Sequence, residues 1–357
     1  MQATASGALP GCLTSKCHDD LVKGFSAHSP LRANRGCFVC HKEGGTPSQS
    51  LPRGHASYLR GTAVSIRATC LTCHDAVNDL MISKDHVHAP LAKEGCLECH
   101  DPHHSSYPKL LKAEANVSCV GCHKEQGNEL LKPSADDVPT LSASHAVALG
   151  KDSCIQCHAP HGSTHAKFLK AEPDRFCLSC HDEAVTAKNG KILASMKRWN
   201  EKGMHHHGSD LREGSKPVHC ISCHQVHDRS RRAILAGNYT EKDRARYDPD
   251  QAGLCFRCHR SELATLAISS DITRFRNGER NLHQTHVQSL GRGRTCRVCH
   301  NPHAAANSAL IHESMSFVGL QLPFRFEKTA QGGTCATACH GVMRYDRAQE
   351  AANAKSR

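Results

Sequence analysis

The chain has 357 residues, a formal charge of +11, 22 cysteines and 29 histidines, yet it is only 38% hydrophobic and holds a single tryptophan, Trp199. So few large apolar side chains cannot build the core that a protein of this length normally buries, and disordered chains are not this rich in cysteine and histidine. No stretch approaches the roughly 18 to 20 apolar residues that span a bilayer, and the opening MQATASGALPGC has neither the basic nor the apolar region of an export signal, so something other than side chains must fill the interior.

In chain order, every cysteine falls in a pair followed directly by histidine. Residues 1–27 carry a lone site, Cys12/Cys17/His18, in the stretched form C-x4-C-H. A first two-site unit, 28–85, holds Cys37/Cys40/His41 and Cys70/Cys73/His74. The second, 86–144, holds Cys96/Cys99/His100 and Cys119/Cys122/His123. The third, 145–204, holds Cys154/Cys157/His158 and Cys177/Cys180/His181. The fourth, 205–282, holds Cys220/Cys223/His224 and Cys255/Cys258/His259. The fifth, 283–357, holds Cys296/Cys299/His300 and the C-x3-C-H site Cys335/Cys339/His340. The units repeat: HAPLAKEGCLECHDPHHSSYPKLLKAEANVSCVGCH returns as HAVALGKDSCIQCHAPHGSTHAKFLKAEPDRFCLSCH, with 19 residues between cysteine pairs. Insertions widen that gap to 29, 31 and 35 in the first, fourth and fifth copies. Such a linear array is a repeat architecture in which neighbours cover each other's faces. The predicted fold is mostly coil with short α-helices and little or no β structure, organised around a stack of bound groups. Helices are expected at 176–188 and 255–268, and coil over 44–54.

C-x-x-C-H is the attachment signature of c-type haem. Two thiols add across the porphyrin vinyl groups and the adjacent imidazole reaches the iron. Twenty-two cysteines make eleven such sites with none left over. A disulfide scaffold gives histidine no reason to follow each second cysteine. Zinc-ribbon spacing is met by Cys96, Cys99, Cys119 and Cys122, but four thiolates would leave the imidazoles idle. With so little core of its own, the chain without haem should be largely unfolded.

Eleven histidines are proximal ligands, which leaves 18. Four of these lie three residues past a proximal histidine, in DPH, APH, QVH and NPH: His103, His161, His227 and His303. Another set precedes the first cysteine of a unit: His28, His88, His145 and His286, with His206 drawn from the trio 205–207. The first unit lacks the x-P-H element, and His55 substitutes for it. That gives ten distal ligands. The eleventh is sought among His86, His205, His207, His219, His283 and His312, with His104 and His165 also unassigned. Methionine, present only six times, never recurs in register. All-histidine ligation implies low potentials, because Met/His ligation raises them. A six-coordinate iron has no room for substrate, so the chain reads as an electron carrier and not an enzyme, with no catalytic residue assigned. Leu110, Leu111, Phe168 and Leu169 are expected to pack on porphyrin faces. Lys109, Lys112, Lys167, Lys170, Arg231, Arg232 and Arg325 read as propionate partners or solvated surface. No aromatic platform accompanies the charge, which excludes nucleic acid as a partner.

The segments HAPLAKEGCLECHDPH and CIQCHAPHGS resemble the doubled C-x-x-C-H multihaem cytochromes of metal- and sulfur-metabolising bacteria. The resemblance covers nearly the whole chain and is strongest over 86–181. It implies a periplasmic or extracellular electron conduit of eleven covalent haems c, working with redox partner proteins. An outer-membrane porin, or identical subunits in a conducting filament, are further candidate partners. A multihaem oxyanion reductase is a third reading, against which every motif ends in histidine. Haem c is attached outside the cytoplasm, so an export signal removed from this numbering is expected.

Overall fold

The structure is a computed structural model and describes residues 21, 26–32, 40, 63–93, 95–125, 152–186, 192–193, 195–208, 217–227, 234–291, 293–317, 320–337 and 339–353. Helical elements are short, from Ala63–Leu71, Asp75–Ser83, Ala115–Cys122 and Pro173–His181 down to single turns such as Cys220–Cys223. Sheets are small and antiparallel, and most of the remainder is coil. The described residues up to 172 form one compact unit and those from 173 onward a second.

The attachment motif has a local cause. At seven sites the histidine N–H (His74, His100, His123, His158, His224, His259, His300) donates to the carbonyl of the first cysteine, at 2.9–3.1 Å. That is one α-helical turn, in which positions i and i+3 share a face. C-x-x-C therefore presents both thiols on the same side. The last site is built differently. Cys335 lies on Gly332–Thr337, paired with Arg325–Lys328 on one side and His340–Asp346 on the other. The turn between the last two strands carries Cys339, and Thr337 faces His340. A hairpin replaces the helical turn, which accounts for the extra residue in C-x3-C-H. This three-stranded sheet is the largest in the chain's described residues and had no counterpart in the sequence expectations.

Helix boundaries also differ from expectation. Pro173 suits a first helical turn, so the helix begins there, and after His181 the chain turns into the strand Val185–Thr186. The segment 255–268 breaks into Gly253–Phe256 and Glu262–Thr265. The predicted coil at 44–54 lies outside the described residues. The buried apolar set is dispersed and small, including Leu31, Leu91, Leu178, Val298, Ile311 and Phe324. Asn281 is the one large side chain among the described residues that is wholly buried.

Candidate haem-ligation sites

The upstream histidines and the x-P-H histidines meet through one repeated device. Ser26–Ala27 pairs with His104–Ser105, His86–Val87 with Gly162–Ser163, and His205–His206 with Ala304–Ala305. Each strand of two residues is followed by an upstream histidine or preceded by an x-P-H histidine. Their backbones join as well: His28 N–H donates to His103 O (2.9 Å) and His88 N–H to His161 O (3.4 Å). The proline has its own role, because the Pro102 carbonyl takes His28 Nδ1 at 3.0 Å. Pro160 and Pro302 hold His88 and His207 likewise. In DPH and NPH, the Asp101 and Asn301 side chains accept from the His103 and His303 N–H groups.

These junctions bring histidines face to face. Seven described proximal histidines oppose a second imidazole, with ring centres 6.0 to 6.5 Å apart. His74 faces His28 at 6.0 Å, His123 faces His88 at 6.0 Å, and His100 faces His161 at 6.1 Å. In the second compact unit His259 faces His207 (6.0 Å), His224 faces His303 (6.2 Å), His300 faces His283 (6.3 Å) and His340 faces His286 (6.5 Å). Transition metals take imidazole nitrogen at about 2 Å, so two axial imidazoles on one iron set their ring centres about 6 Å apart. The residues present fit haem iron between them. When bound, that group supplies one-electron exchange at iron with its potential set by the axial ligands.

Sequence reasoning had named His206 from the trio. The structure puts His207 opposite His259, while His206 stacks on Trp199 at 4.7 Å. Strand register decides this, since the ligand position is the first residue after the strand, as at His28 and His88. His283, one of six candidates for the eleventh place, faces His300. It stands three residues before His286 on the helix Leu282–Val287, so one face serves two sites. The other candidates engage elsewhere: His86 and His205 lie in the short strands, His219 bonds Asp174 (2.9 Å), and His312 bonds Arg297 O (3.1 Å). His103 has its ring near Asp101, and His227 ends a described segment. Cys12, Cys17, His18, Cys37, His41, His55 and His145 lie outside the described residues.

Ring orientation is fixed from behind. His100, His158 and His300 use Nδ1 on the carbonyls of Lys109 (2.9 Å), Lys167 (2.7 Å) and Ala309 (2.9 Å). This leaves Nε2 to face the metal, and such a bond raises ligand basicity. The carbonyl is aimed by a strained turn, with φ near +57 to +59° at Lys109–Leu110, Lys167–Phe168 and Ala309–Leu310. Left-handed non-glycine residues cost roughly 1–2 kcal/mol each. The loop closes that strain with His100–Leu111, His158–Leu169 and His300–Ile311 bridges. Leu111 and Leu169 therefore pin the proximal histidine by backbone, and the Phe168 ring meets His88 edge-on at 5.3 Å. Burial holds His88, His161, His207, His286, His300 and His303 below the usual imidazole range, and His283 falls to about 4. A lowered pKa favours the neutral imidazole, the form that can take a metal.

The two thiols of a pair differ in their surroundings. The described first cysteines, from Cys70 to Cys335, are all half-buried. Among second cysteines, Cys40, Cys73, Cys122, Cys180, Cys258 and Cys339 are exposed, whereas Cys99, Cys157, Cys223 and Cys299 are half-buried. The half-buried four share one cause. The loop that follows each of them folds back, so that their carbonyls accept from Lys112 (2.9 Å), Lys170 (3.1 Å), Ala236 (2.8 Å) and His312 (2.9 Å). Cys73 and Cys180 instead end short helical turns, where Thr72 Oγ1 and Ser179 Oγ approach their sulfurs at 3.9 Å.

Successive attachment sites also touch. Within each compact unit, the first cysteine of a unit's second site meets the first cysteine of the next unit's first site. Cys70 lies beside Cys96, Cys119 beside Cys154, Cys177 beside Cys220 and Cys255 beside Cys296. Second cysteines bring together the two sites of one unit: Cys99 with Cys122, Cys223 with Cys258, and Cys299 with Cys335 and Cys339. In the first unit Cys40 does so through Cys70. No disulfide joins any described cysteine. Side chains three residues before the second site lock two of these junctions. Asn116 accepts from Cys154 N–H (3.2 Å) and donates to Ser153 Oγ (3.0 Å). Asp174 accepts from Cys220 N–H (2.7 Å) and bonds His219 (2.9 Å). A cavity lined by Cys255 and Cys296 also takes in Arg294, Arg297 and Tyr247, whose buried hydroxyl has no partner. That orphaned donor fits a porphyrin propionate.

Sequence reasoning missed Asn116, Asp174 and Asn281. Only Asn281 had a legible signal, as a capping residue ahead of LHQTHV. No described helix is long and apolar enough to cross a membrane.

Comparison with known proteins agrees with this geometry. The family model for the doubled CXXCH motif matches residues 88–128, 145–186 and 210–264. The chain is 28% identical over 173 residues to the multiheme cytochrome MtrA of Shewanella baltica, covering 46% of this chain and 48% of that protein. It is 22% identical over 267 residues to the high-molecular-weight cytochrome c of Nitratidesulfovibrio vulgaris, covering 69% of this chain and 44% of that protein. The chain thus spans about half the length of the curated relatives it matches. Paired thiols on single helical turns, opposed imidazoles and these relatives together make the chain a multihaem c-type cytochrome built on doubled C-x-x-C-H motifs.

Proposed function

We propose that the protein carries electrons along eleven covalent haems c, as a periplasmic or extracellular conduit handing electrons between redox partner proteins. The observation that carries this reading is the set of seven opposed imidazole pairs, each joining a proximal histidine to a second ring 6.0 to 6.5 Å away. The distal ligands are His28, His88, His161, His207, His283, His286 and His303 at the seven sites where rings oppose, with His55, His103, His145 and His227 serving the remaining four. The chain's own residues hold both axial positions, and backbone carbonyls raise the basicity of His100, His158 and His300. Histidine at both positions favours low potentials and closes the iron to substrate.

A filament in which a second copy completes a terminal haem gains no support at the C-terminal end, where His283 and His286 face His300 and His340 within one chain. An outer-membrane porin remains the partner suited to a discrete conduit. Protein-film voltammetry of the haem-loaded chain tests the proposal. A broad, reversible, low-potential envelope unchanged by nitrite or sulfite is expected. A catalytic wave with either anion would establish a reductase instead.

A further inference from the structure

Arg294 sits where the last two sites meet. Its backbone N–H donates to the His286 carbonyl at 2.9 Å. The preceding residue cannot be anything but glycine without movement, because a Cβ at Gly293 would meet the Ala245 and Val287 carbonyls at 2.5 and 2.6 Å. The backbone carrying Arg294 is therefore held on both sides. Its guanidinium reaches Cys339 Sγ at 3.7 Å. Cys299 and the His286 imidazole also lie within electrostatic reach of the Arg294 charge. One cation thus lies beside the second cysteine of the tenth site, the second cysteine of the eleventh and the distal histidine of the eleventh.

We propose that Arg294 is a tuning residue that raises the reduction potential of the last two haems and makes the C-terminal end the preferred seat of electrons. Reduction adds one negative charge to the haem, and a fixed cation beside it stabilises that charge. The position of the guanidinium against Cys339 and within electrostatic reach of Cys299 lets one side chain act on two haems. The same cation also lies at the only described site formed on a hairpin, the end of the array.

The inference rests on the electron-transfer reading above. Its test is a spectroelectrochemical titration of the full haem-loaded chain, comparing the parent with Arg294→Gln and Arg294→Lys. In Arg294→Gln the highest-potential component, with the amplitude of the last two haems, moves to lower potential while haem content and the low-spin EPR signals stay as in the parent. Arg294→Lys, which keeps the charge, leaves that component in place. A Gln curve that superimposes on the parent overturns the proposal, as does a Lys variant that shifts as far as Gln, since the side chain would then act through packing. A parent that shows no reversible titration overturns the electron-transfer reading itself, and this inference with it.

Discussion

His206 and His207 are adjacent and chemically identical, yet only His207 opposes a proximal histidine. Replacing His207 by alanine is expected to convert one haem from low spin to high spin, while His206→Ala leaves the spectrum unchanged. Absorbance near the high-spin charge-transfer band and EPR of the ferric protein check this pair. The x-P-H histidines make a sharper case. His161→Ala should open the haem of Cys96/Cys99, in the preceding unit, and leave its own neighbour at Cys154/Cys157 six-coordinate. The helical turn of C-x-x-C-H and the recurrence of these histidines were legible, because the motif spacing dictates the turn and the repeat exposes the histidines. Their pairing was not. It is set by two-residue strands joining different units, and a one-residue slip in a strand moves every side chain to the opposite face.

At the scale of elements, the helix Leu282–Val287 holds ligands for two sites, and Asn281 holds the helix. Its Oδ1 accepts from His283 N–H (2.9 Å) and Gln284 N–H (3.4 Å), and its Nδ2 donates to the carbonyls of Leu263 (3.0 Å) and Leu266 (2.8 Å). Asn281→Leu strips those buried backbone groups of partners at a cost of about 1–3 kcal/mol each. The expected outcome is loss of low-spin character at both C-terminal sites, read by EPR, together with a lower melting temperature. Asp174 has a corresponding role at the junction of Cys177 and Cys220. Burial alone would raise its carboxyl, but bonds from Cys220 and His219 outweigh that and hold it below the usual carboxylate range. A carboxylate with a depressed folded pKa binds fewer protons folded than unfolded, so its stabilisation is full above the ordinary carboxylate range and falls as pH drops through the folded value. Asp174→Ala should therefore destabilise the protein at neutral pH by roughly 1–3 kcal/mol and flatten the acid limb of the melting curve; an unchanged acid limb would refute that role. The C-terminal hairpin was the least legible element. Its strands, with Cys335 and Met343 facing across them, lack strong alternation, and only the extra residue in C-x3-C-H hinted that this turn is not helical.

At the scale of the whole molecule, two x-P-H histidines face proximal histidines of the preceding repeat, His161 facing His100 and His303 facing His224. Removing residues 283–357 takes away two sites but also removes His303, which opposes His224. The truncated chain is expected to show one new high-spin haem at Cys220/Cys223, with the His207–His259 site still low-spin. If all remaining haems stayed low-spin, cross-unit ligation would be wrong. The charge fits the same architecture: a ferric haem with two ionised propionates carries about −1, so eleven of them nearly offset the formal +11 of the chain. Composition made the absence of a conventional core legible, because the apolar residues are too few. The path of contacts from site to site was not, since it depends on cysteines brought together across unit boundaries.

The central claim is that every iron in this chain is held by two of its own histidines. Quantitative EPR of the native ferric protein, alongside an intact-mass count of covalent haem, tests it most directly. The account predicts eleven haems per chain and low-spin signals that integrate to all of them, unaffected by cyanide or nitrite. A high-spin signal that shifts on adding either ligand, or a haem count below eleven, would contradict it.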